Sequence, residues 1–295
     1  MVLKELPTYL YGTNEIPRRG DGALFHYTRL EKLLEILKDL SLQPSSFEKL
    51  NDLNEGKVSN INMDENFLVM YGAEKYINEK CHILCFSQNY NIKIHGICIR
   101  QEGTNHPAMW AHYADNSNGV CIVIDKKAFV KKNKSILNSY FHKFKNVKYS
   151  YFNTPNDNYI NKRATTAQDF IKDNWEALFF LKHKDWEEED EHRLFIMDYD
   201  GKLSIDGCIK YIVLGWNLCS DEKRVKMILD RIVDPNSVCY QKFIPHSFAT
   251  SNYYNSGYET HEIAYHIASI VRKNISDERY ANYREWLLKC GYLRI

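Results

Sequence analysis

The hydrophobic positions between Leu24 and Ile232 switch several times between a period of two and a period of three to four. Leu30, Leu33, Leu34 and Leu37 recur at i, i+3, i+4 and i+7, which predicts an amphipathic helix beginning near residue 29. Thr28-Arg29-Leu30-Glu31 has the spacing of a capping box, so Thr28 is the expected N-cap, fed by a short strand over Ala23–Tyr27. Ile83–Ser87 and Val120–Asp125 read as further strands, the second reached through the turn Asn118-Gly119, and Phe144–Phe152 alternates as another. A helix follows from about Thr166 to Lys182, with Ile171, Trp175, Leu178 and Phe179 on one face. Glu191–Asp198 and Cys208–Leu214 are then predicted strands. Val225, Ile228, Leu229 and Ile232 mark a helix behind a cap at Ser220.

The last forty residues have a different pattern. Ile263, Ile267, Ile270 and Val271 define one helix; Tyr280, Tyr283, Leu287 and Cys290 define a second, capped at Ser276 and ending at Gly291. Ser247–Gly257, rich in Ser, Asn and Tyr, reads as a linker. The expected organisation is a main α+β domain over residues 1–246 and a C-terminal helical appendage over 258–295. Strands and helices interleave without a regular βαβ rhythm, and glycine-rich phosphate fingerprints are absent, which disfavours Rossmann and P-loop folds.

Composition narrows the class. The 295 residues carry 39 basic and 38 acidic side chains, so no global field concentrates polyanions and any nucleic-acid contact must be local. No segment approaches the roughly 20 apolar residues that span a bilayer, and Lys4 and Pro7 interrupt any signal-like start, so a cytoplasmic protein with no membrane contact is expected. The eight cysteines are scattered, several among aliphatic residues, as suits buried thiols in a reducing compartment. Without Cys-x-x-Cys or His-Glu-x-x-His spacing no metal site is expected.

Several stretches could carry chemistry. Phe25-His26-Tyr27-Thr28 stands at a strand-to-helix junction, where free helical amides meet ligands; the plainer reading is a cap and a packing histidine. Asn51-Asp52-Leu53-Asn54-Glu55-Gly56 is a polar loop whose residue types a turn also requires. Met109-Trp110-Ala111-His112-Tyr113-Ala114-Asp115 combines an indole, an imidazole and a phenol, which suits a base-stacking pocket as well as a helix closing the core. In Trp186-Glu187-Glu188-Glu189-Asp190-Glu191-His192-Arg193 the acids run into an apolar strand. There, period two places Glu191 and Arg193 on one face, with Glu189 if the strand starts early. Such a carboxylate is held rigidly and kept ionised by Arg193; the alternative is a purely structural ion pair. Lys143-Phe144-Lys145-Asn146-Val147-Lys148-Tyr149, near five lysines over Lys126–Lys134, could track a phosphate backbone or line the solvent side of a strand.

Taken together, these blocks resemble a bacterial family known as domain of unknown function 2971, over roughly Leu24–Ile232. The residues carrying the resemblance are Asn51, Asp52 and Glu55; Met109, Trp110, Tyr113, Ala114, Asp115 and Gly119; Lys182, Trp186, Glu189, Glu191 and Arg193; and Ile-Val-Leu-Gly at 212–215. His-x-Thr near the start, a central aromatic block and Glu-x-Glu on a late strand are, more distantly, similar to the signature of ADP-ribosyltransferases. That resemblance implies a mixed, split β-sheet with flanking helices, NAD as substrate, and a toxin or phage-defence effector. Its acceptor would be nucleic acid or protein, with an antitoxin or defence-system partner. Under it Glu191, Glu189 and Tyr113 are the catalytic residues. Glu191 binds the nicotinamide ribose and stabilises the oxocarbenium ion, and Glu189 orients or deprotonates the acceptor. His26, Tyr27, Thr28, Trp110, His112 and Arg193 are the NAD-binding set. The aromatic block departs from the Ser-Thr-Ser or Tyr-x-x-x-Tyr of better known branches. Two other classes fit the same residues: a non-catalytic sensor of a nucleotide or phage component, and a nuclease with Asp52, Glu55, Glu189 and Glu191 around a divalent metal.

Overall fold

The computed structural model describes residues 22–50, 56–58, 67–94, 97–101, 103–151, 160–161, 163–219, 221–232, 243–245 and 268–289. Its strands in chain order are β1 (Ala23–Thr28), β2 (Ser41–Leu42), β3 (Ser45–Ser46), β4 (Cys81–Ser87), β5 (Tyr90–Ile94), β6 (Ile97–Gln101) and β7 (Val120–Asp125), then β8 (His142–Asn146), β9 (Lys148–Ser150), β10 (Leu181–His183), β11 (Glu191–Met197), β12 (Leu203–Ser204), β13 (Ile209–Leu214) and β14 (Phe243–Pro245). The helices used below are α1 (Leu30–Asp39), α2 (Phe67–Lys80), α3 (Pro107–His112), α4 (Lys126–Lys132), α5 (Lys134–Ser139), α6 (Ala167–Phe179), α7 (Trp216–Cys219), α8 (Glu222–Ile232) and α9 (Ala281–Lys289). The fold class is α+β, with mostly antiparallel strand pairing.

The chain divides into two compact units that alternate along the sequence. The first comprises Met1–Leu40, Gln88–Phe129 and Ile205–Ile295. In it β7 lies between β1 and β13, antiparallel to both, β14 pairs parallel to β13, and β5 and β6 form an antiparallel pair. Alternate residues of β1, Ala23, Phe25 and Tyr27, pack with Met109, Trp110, Ala114, Cys121, Val123 and Val213 in one buried cluster. That alternation is what a strand with one face on a core requires. Residues 268–289 belong to this unit, where Lys273 pairs with Glu222 on α8 at 2.7 Å.

The second unit comprises Ser41–Ser87 and Val130–Ser204. β11 is its central strand, antiparallel to β4 on one side and β8 on the other, and β3 pairs with β4. β9 and β10 pair parallel to each other. The core is aromatic: the rings of Phe179 and Phe195 stack with centroids 4.2 Å apart, and Phe47 lies 5.0 Å from Phe179. α6 follows its predicted pattern closely, with Thr166 accepting from the Asp169 amide as N-cap, but it ends at Phe179 so that Leu181–His183 can pair as β10.

Several local expectations are corrected. α1 begins at Leu30 with Arg29 at its N-cap and no side-chain cap bond; Thr28 is instead the last residue of β1, opposite Val120. A strand that keeps its pairing through residue 28 removes that threonine from the cap position. Asp221 caps α8, its Oδ1 accepting from the amides of Lys223 and Arg224, while Ser220, the expected cap, lies outside the described residues. Asp277 does the same in place of Ser276, accepting from the Arg279 amide. Where one strand is expected over Phe144–Phe152, the described part holds two, β8 and β9, because at Val147 the chain leaves β11: the Val147 amide donates to Glu191 and the next, Lys148, donates to Phe180. The linker expected at Ser247–Gly257, the loop Asn51–Glu55 and the first expected C-terminal helix up to Ile267 lie outside the described residues.

Gly119 enters β7 with its α-carbon against the chain leaving β1: a Cβ there would stand 2.3 Å from the Thr28 carbonyl oxygen. Backbone cannot give way as a flexible side chain can, so Gly119→Ala is expected to destabilise the protein by about 3 kcal/mol, the upper range for overpacking. Urea denaturation monitored by circular dichroism measures this, and an unchanged midpoint would contradict it.

Candidate functional site

Asp190 closes the 3-10 turn Lys184–Glu189 in the left-handed conformation, φ 41°, a backbone state that aspartate tolerates better than most residues. The chain then enters β11 at Glu191. As period two requires, Glu191 and Arg193 share a face: Arg193 Nε donates to Glu191 Oε1 at 2.6 Å and Nη2 to Oε2 at 2.8 Å. Glu189 is not on the strand, yet it reaches the same place through a residue that the pattern of the acidic run does not reveal. Lys182 on β10 donates to Glu189 Oε2 at 2.6 Å and to Glu191 Oε2 at 3.3 Å.

The four groups are all buried: Lys182 is 7%, Glu189 5%, Glu191 4% and Arg193 1% exposed. Two carboxylates face two cations, so their formal charges cancel, which is the condition for keeping charges out of water. Neighbouring groups add further contacts. Arg193 Nη1 donates to the Phe179 carbonyl at 2.7 Å, the Glu191 amide to the Tyr149 hydroxyl at 2.9 Å, and the Lys182 ammonium lies 5.0 Å from the Trp186 ring centre. Burial alone would raise the Glu191 carboxyl, but Arg193 and Lys182 outweigh it and hold the pKa at about 2. Burial and the charge of Glu191 push the Tyr149 phenol well up, so it stays neutral. Asp190, between the two glutamates but outside the cluster, is raised to about 6 by partial burial and by Glu187.

The signal for Lys182 was present in the sequence. A lysine directly after Phe179-Phe180-Leu181 is a cation placed in an apolar run, and such a cation needs an acid. The second partner, Tyr149, is brought in only by the parallel pairing of β9 with β10.

In the first unit the aromatic expectations divide. Tyr27 and Trp110 meet edge to face at 5.0 Å, with Tyr113 packed on the same cluster. Both rings anchor one segment: the Tyr27 hydroxyl donates to the Gly103 carbonyl at 2.6 Å and Trp110 Nε1 to the Thr104 carbonyl at 2.8 Å. Trp110 is 1% exposed. His26 and Thr28, by the alternation of β1, point to the opposite face from Tyr27. The strand therefore separates His26 and Thr28 from Tyr27, Trp110 and Tyr113. His112 is exposed at the end of α3.

α3 runs into a turn with three successive non-glycine residues in the left-handed region, Asp115 (φ 50°), Asn116 (50°) and Ser117 (65°). Each costs on the order of 1 kcal/mol for an L-residue, so the surroundings must impose the shape. They do so from distant parts of the chain. The Ser117 carbonyl accepts from the Asn217 amide at 3.1 Å, Asn217 Nδ2 donates to the Asn116 carbonyl at 2.9 Å, and Arg224 donates at 3.1 Å to both the carbonyl and Oδ1 of Asn118. Gly215 is required here, since a Cβ would lie 2.2 Å from the Ser117 carbonyl oxygen. The Trp-x-x-Tyr-Ala-Asp block and the late Ile-Val-Leu-Gly are thus two sides of one construction. Trp216, next to Asn217, is 46% exposed.

Asp52 and Glu55 lie outside the described residues. Glu189 and Glu191 face Lys182 and Arg193, whose charges oppose a divalent cation. Among the described residues no group of three His, Cys, Asp or Glu side chains is arranged to hold a metal, and no helix is long and apolar enough to cross a membrane.

Glu191→Gln and Arg193→Met should each cost about 3–5 kcal/mol, because each leaves a buried charge unmatched, while the double substitution should cost much less than their sum. A denaturation double-mutant cycle measures the difference, and additive losses would refute the coupling. The acid limb gives a second test. The folded pKa of Glu191 lies below its ordinary value of 4.5, so its contribution is complete above pH 4.5 and is lost as pH falls toward 2. The loss should amount to about 3 kcal/mol in the wild type and be absent from Glu191→Gln, as read from unfolding midpoints over that window.

Comparison with known proteins finds a likeness to a family of unknown function over part of the chain. Residues 109–194 match the family model described as "Protein of unknown function (DUF2971)". The match takes in the aromatic block and the acidic run, and is shorter than the Leu24–Ile232 span over which the motifs resemble that family. No curated protein matches the chain, and no solved structure does. The matched residues 109–194 include, in this chain, the left-handed turn and the four charged residues from Lys182 to Arg193.

Proposed function

We propose that the chain is a nucleotide-recognition module of the sensor type. Its ligand surface is the turn Asp115–Ser117 with Tyr113 and Trp216 beside it, and the Lys182–Glu189–Glu191–Arg193 cluster is internal support. The observation that carries this reading is the state of Glu191. It is 4% exposed, and both of its oxygens already accept from charged donors. A ribose hydroxyl or an oxocarbenium ion could reach that carboxylate only by breaking the bonds that keep it stable in the interior. The turn offers the opposite: a backbone shape imposed at a cost, half-buried Tyr113, exposed Trp216 and Asn116, and exposed Lys223 at the start of α8. Aromatic faces beside amides and cations suit a base with its phosphates. Strain of this kind is characteristic of ligand-binding turns.

The ADP-ribosyltransferase reading is the second, favoured by one feature. Glu191 stands at the first position of a strand immediately after a turn, and is ionised at any pH well above 2, the state that stabilising an oxocarbenium ion requires. In that reading the protein consumes NAD, as a toxin or phage-defence effector acting on nucleic acid or protein.

One pair of measurements separates them. NAD and ATP binding is followed by calorimetry for wild type and Trp216→Ala, and nicotinamide release from NAD for wild type and Glu191→Gln. The sensor reading expects binding without nicotinamide release, weakened about ten-fold or more by Trp216→Ala, in line with the loss of one stacked base. Nicotinamide release by the wild type, abolished in a still-folded Glu191→Gln protein, would replace it with the transferase.

A further inference from the structure

β8 pairs with β11 and with no other strand among those described. Its register sets Lys145 opposite Arg193 and Lys143 opposite Phe195, so both lysines lie on the face of β11 that carries Phe195. Phe195 stacks on Phe179 of α6, and Trp175 is one turn earlier on the same face of that helix. The two ammonium groups therefore meet one ring: Lys143 Nζ and Lys145 Nζ each lie 4.9 Å from the Trp175 centroid, and Lys143 also lies 5.0 Å from Phe141. Neither has a carboxylate within salt-bridge distance among the described residues. Lys148, on the next strand, is matched by Glu176 at 2.8 Å. The other acid on this side of α6, Asp173, accepts from Asn161 at 3.1 Å.

We propose that this edge of the second unit binds single-stranded nucleic acid, with phosphates on Lys143 and Lys145 and an unpaired base on Trp175. Glu176, which acts on Lys145 at longer range, is taken up directly by Lys148, so a phosphodiester backbone supplies the charge that the two lysines do not meet in a direct ion pair, and an unpaired base supplies a π-face for an indole that is half-buried rather than closed in the core. No hydrogen bond or direct ion pair holds the ammonium groups over the ring, where the cation–π attraction is weak, so they can swing to a phosphate and leave the indole to the base. Lysines on an edge strand also protect it from pairing with other chains, but that role asks for ammonium groups in water, not for two of them on one ring. A duplex has its bases already stacked, and an acidic peptide has charge but no base. Single-stranded nucleic acid is the class that fits both halves of the site.

The test uses the full chain and a fluorescein-labelled oligothymidylate of about twelve nucleotides, within the usual footprint of single-strand binders. Anisotropy titrations run from about 50 to 200 mM salt for wild type, Lys143→Gln/Lys145→Gln and Lys143→Arg/Lys145→Arg, alongside the matching duplex and polyglutamate. The wild type should bind the single strand in preference to both competitors. The glutamine variant should flatten the plot of log affinity against log salt by about 1.4, two contacts at roughly 0.7 each on a single strand, and the arginine variant should restore the slope. Trp175 emission should fall on binding, and that change should be missing from Trp175→Phe. No binding at low salt, equal affinity for the duplex or polyglutamate, or an unchanged slope in a folded glutamine variant would overturn the proposal.

Discussion

A carboxylate out of water needs a counter-charge, and much of the second unit is organised around supplying one to Glu191. Arg193, two residues along the same strand, gives a two-point contact, and Lys182 brings a second cation. That cation would be in excess without Glu189, which explains why two acids of the run are buried while Glu187 and Glu188 remain at the surface. Arg193 in turn takes the Phe179 carbonyl at the end of α6, and the Glu191 amide takes the Tyr149 hydroxyl from β9. One requirement for neutrality thus fastens α6, β9, β10, the 3-10 turn and β11. Buried ion groups of this kind often add little net stability over apolar packing, but they are unforgiving of partial loss.

The first unit shows the same economy with backbone groups. Three left-handed residues after α3 would not persist alone, and the amides of α7 and the guanidinium of Arg224 hold them in place. Gly119 and Gly215 are there because chains pass too close for a Cβ, not because their own dihedrals are unusual. Two motifs far apart in the chain therefore share one cause. The contrast between the sites is chemical. The charged one is saturated from within, whereas the turn presents exposed polar and aromatic groups to solvent.

Much of the architecture was legible in the residues. The leucine spacing of α1 and the aliphatic run of β7 appear within a residue of their predicted bounds, and the apolar face of α6 is as predicted although the helix stops three residues early, because burial of one face leaves a periodic trace. The pairing of Glu191 with Arg193 was equally readable, since strand period two alone puts them on one face. Caps were read less well. Thr28 and Ser276 have suitable side chains, but Arg29 and Asp277 hold the positions, because a cap is decided by where the neighbouring strand or turn releases the chain.

What the sequence determined by itself was the strongly periodic elements, among them α1, β7, α6 and β11, the α+β class and the placing of Glu191 and Arg193 on one face. Those follow from local periodicity and from the cost of burying charge, which act on neighbours. Tertiary structure alone decided that Glu189 and Tyr149 join the Glu191–Arg193 pair, that His26 and Tyr27 lie on opposite faces of one strand, and that residues 115–117 are held by residues beyond 214. Each depends on contacts between strands and turns distant in sequence, and no periodicity along the chain records which of them will meet.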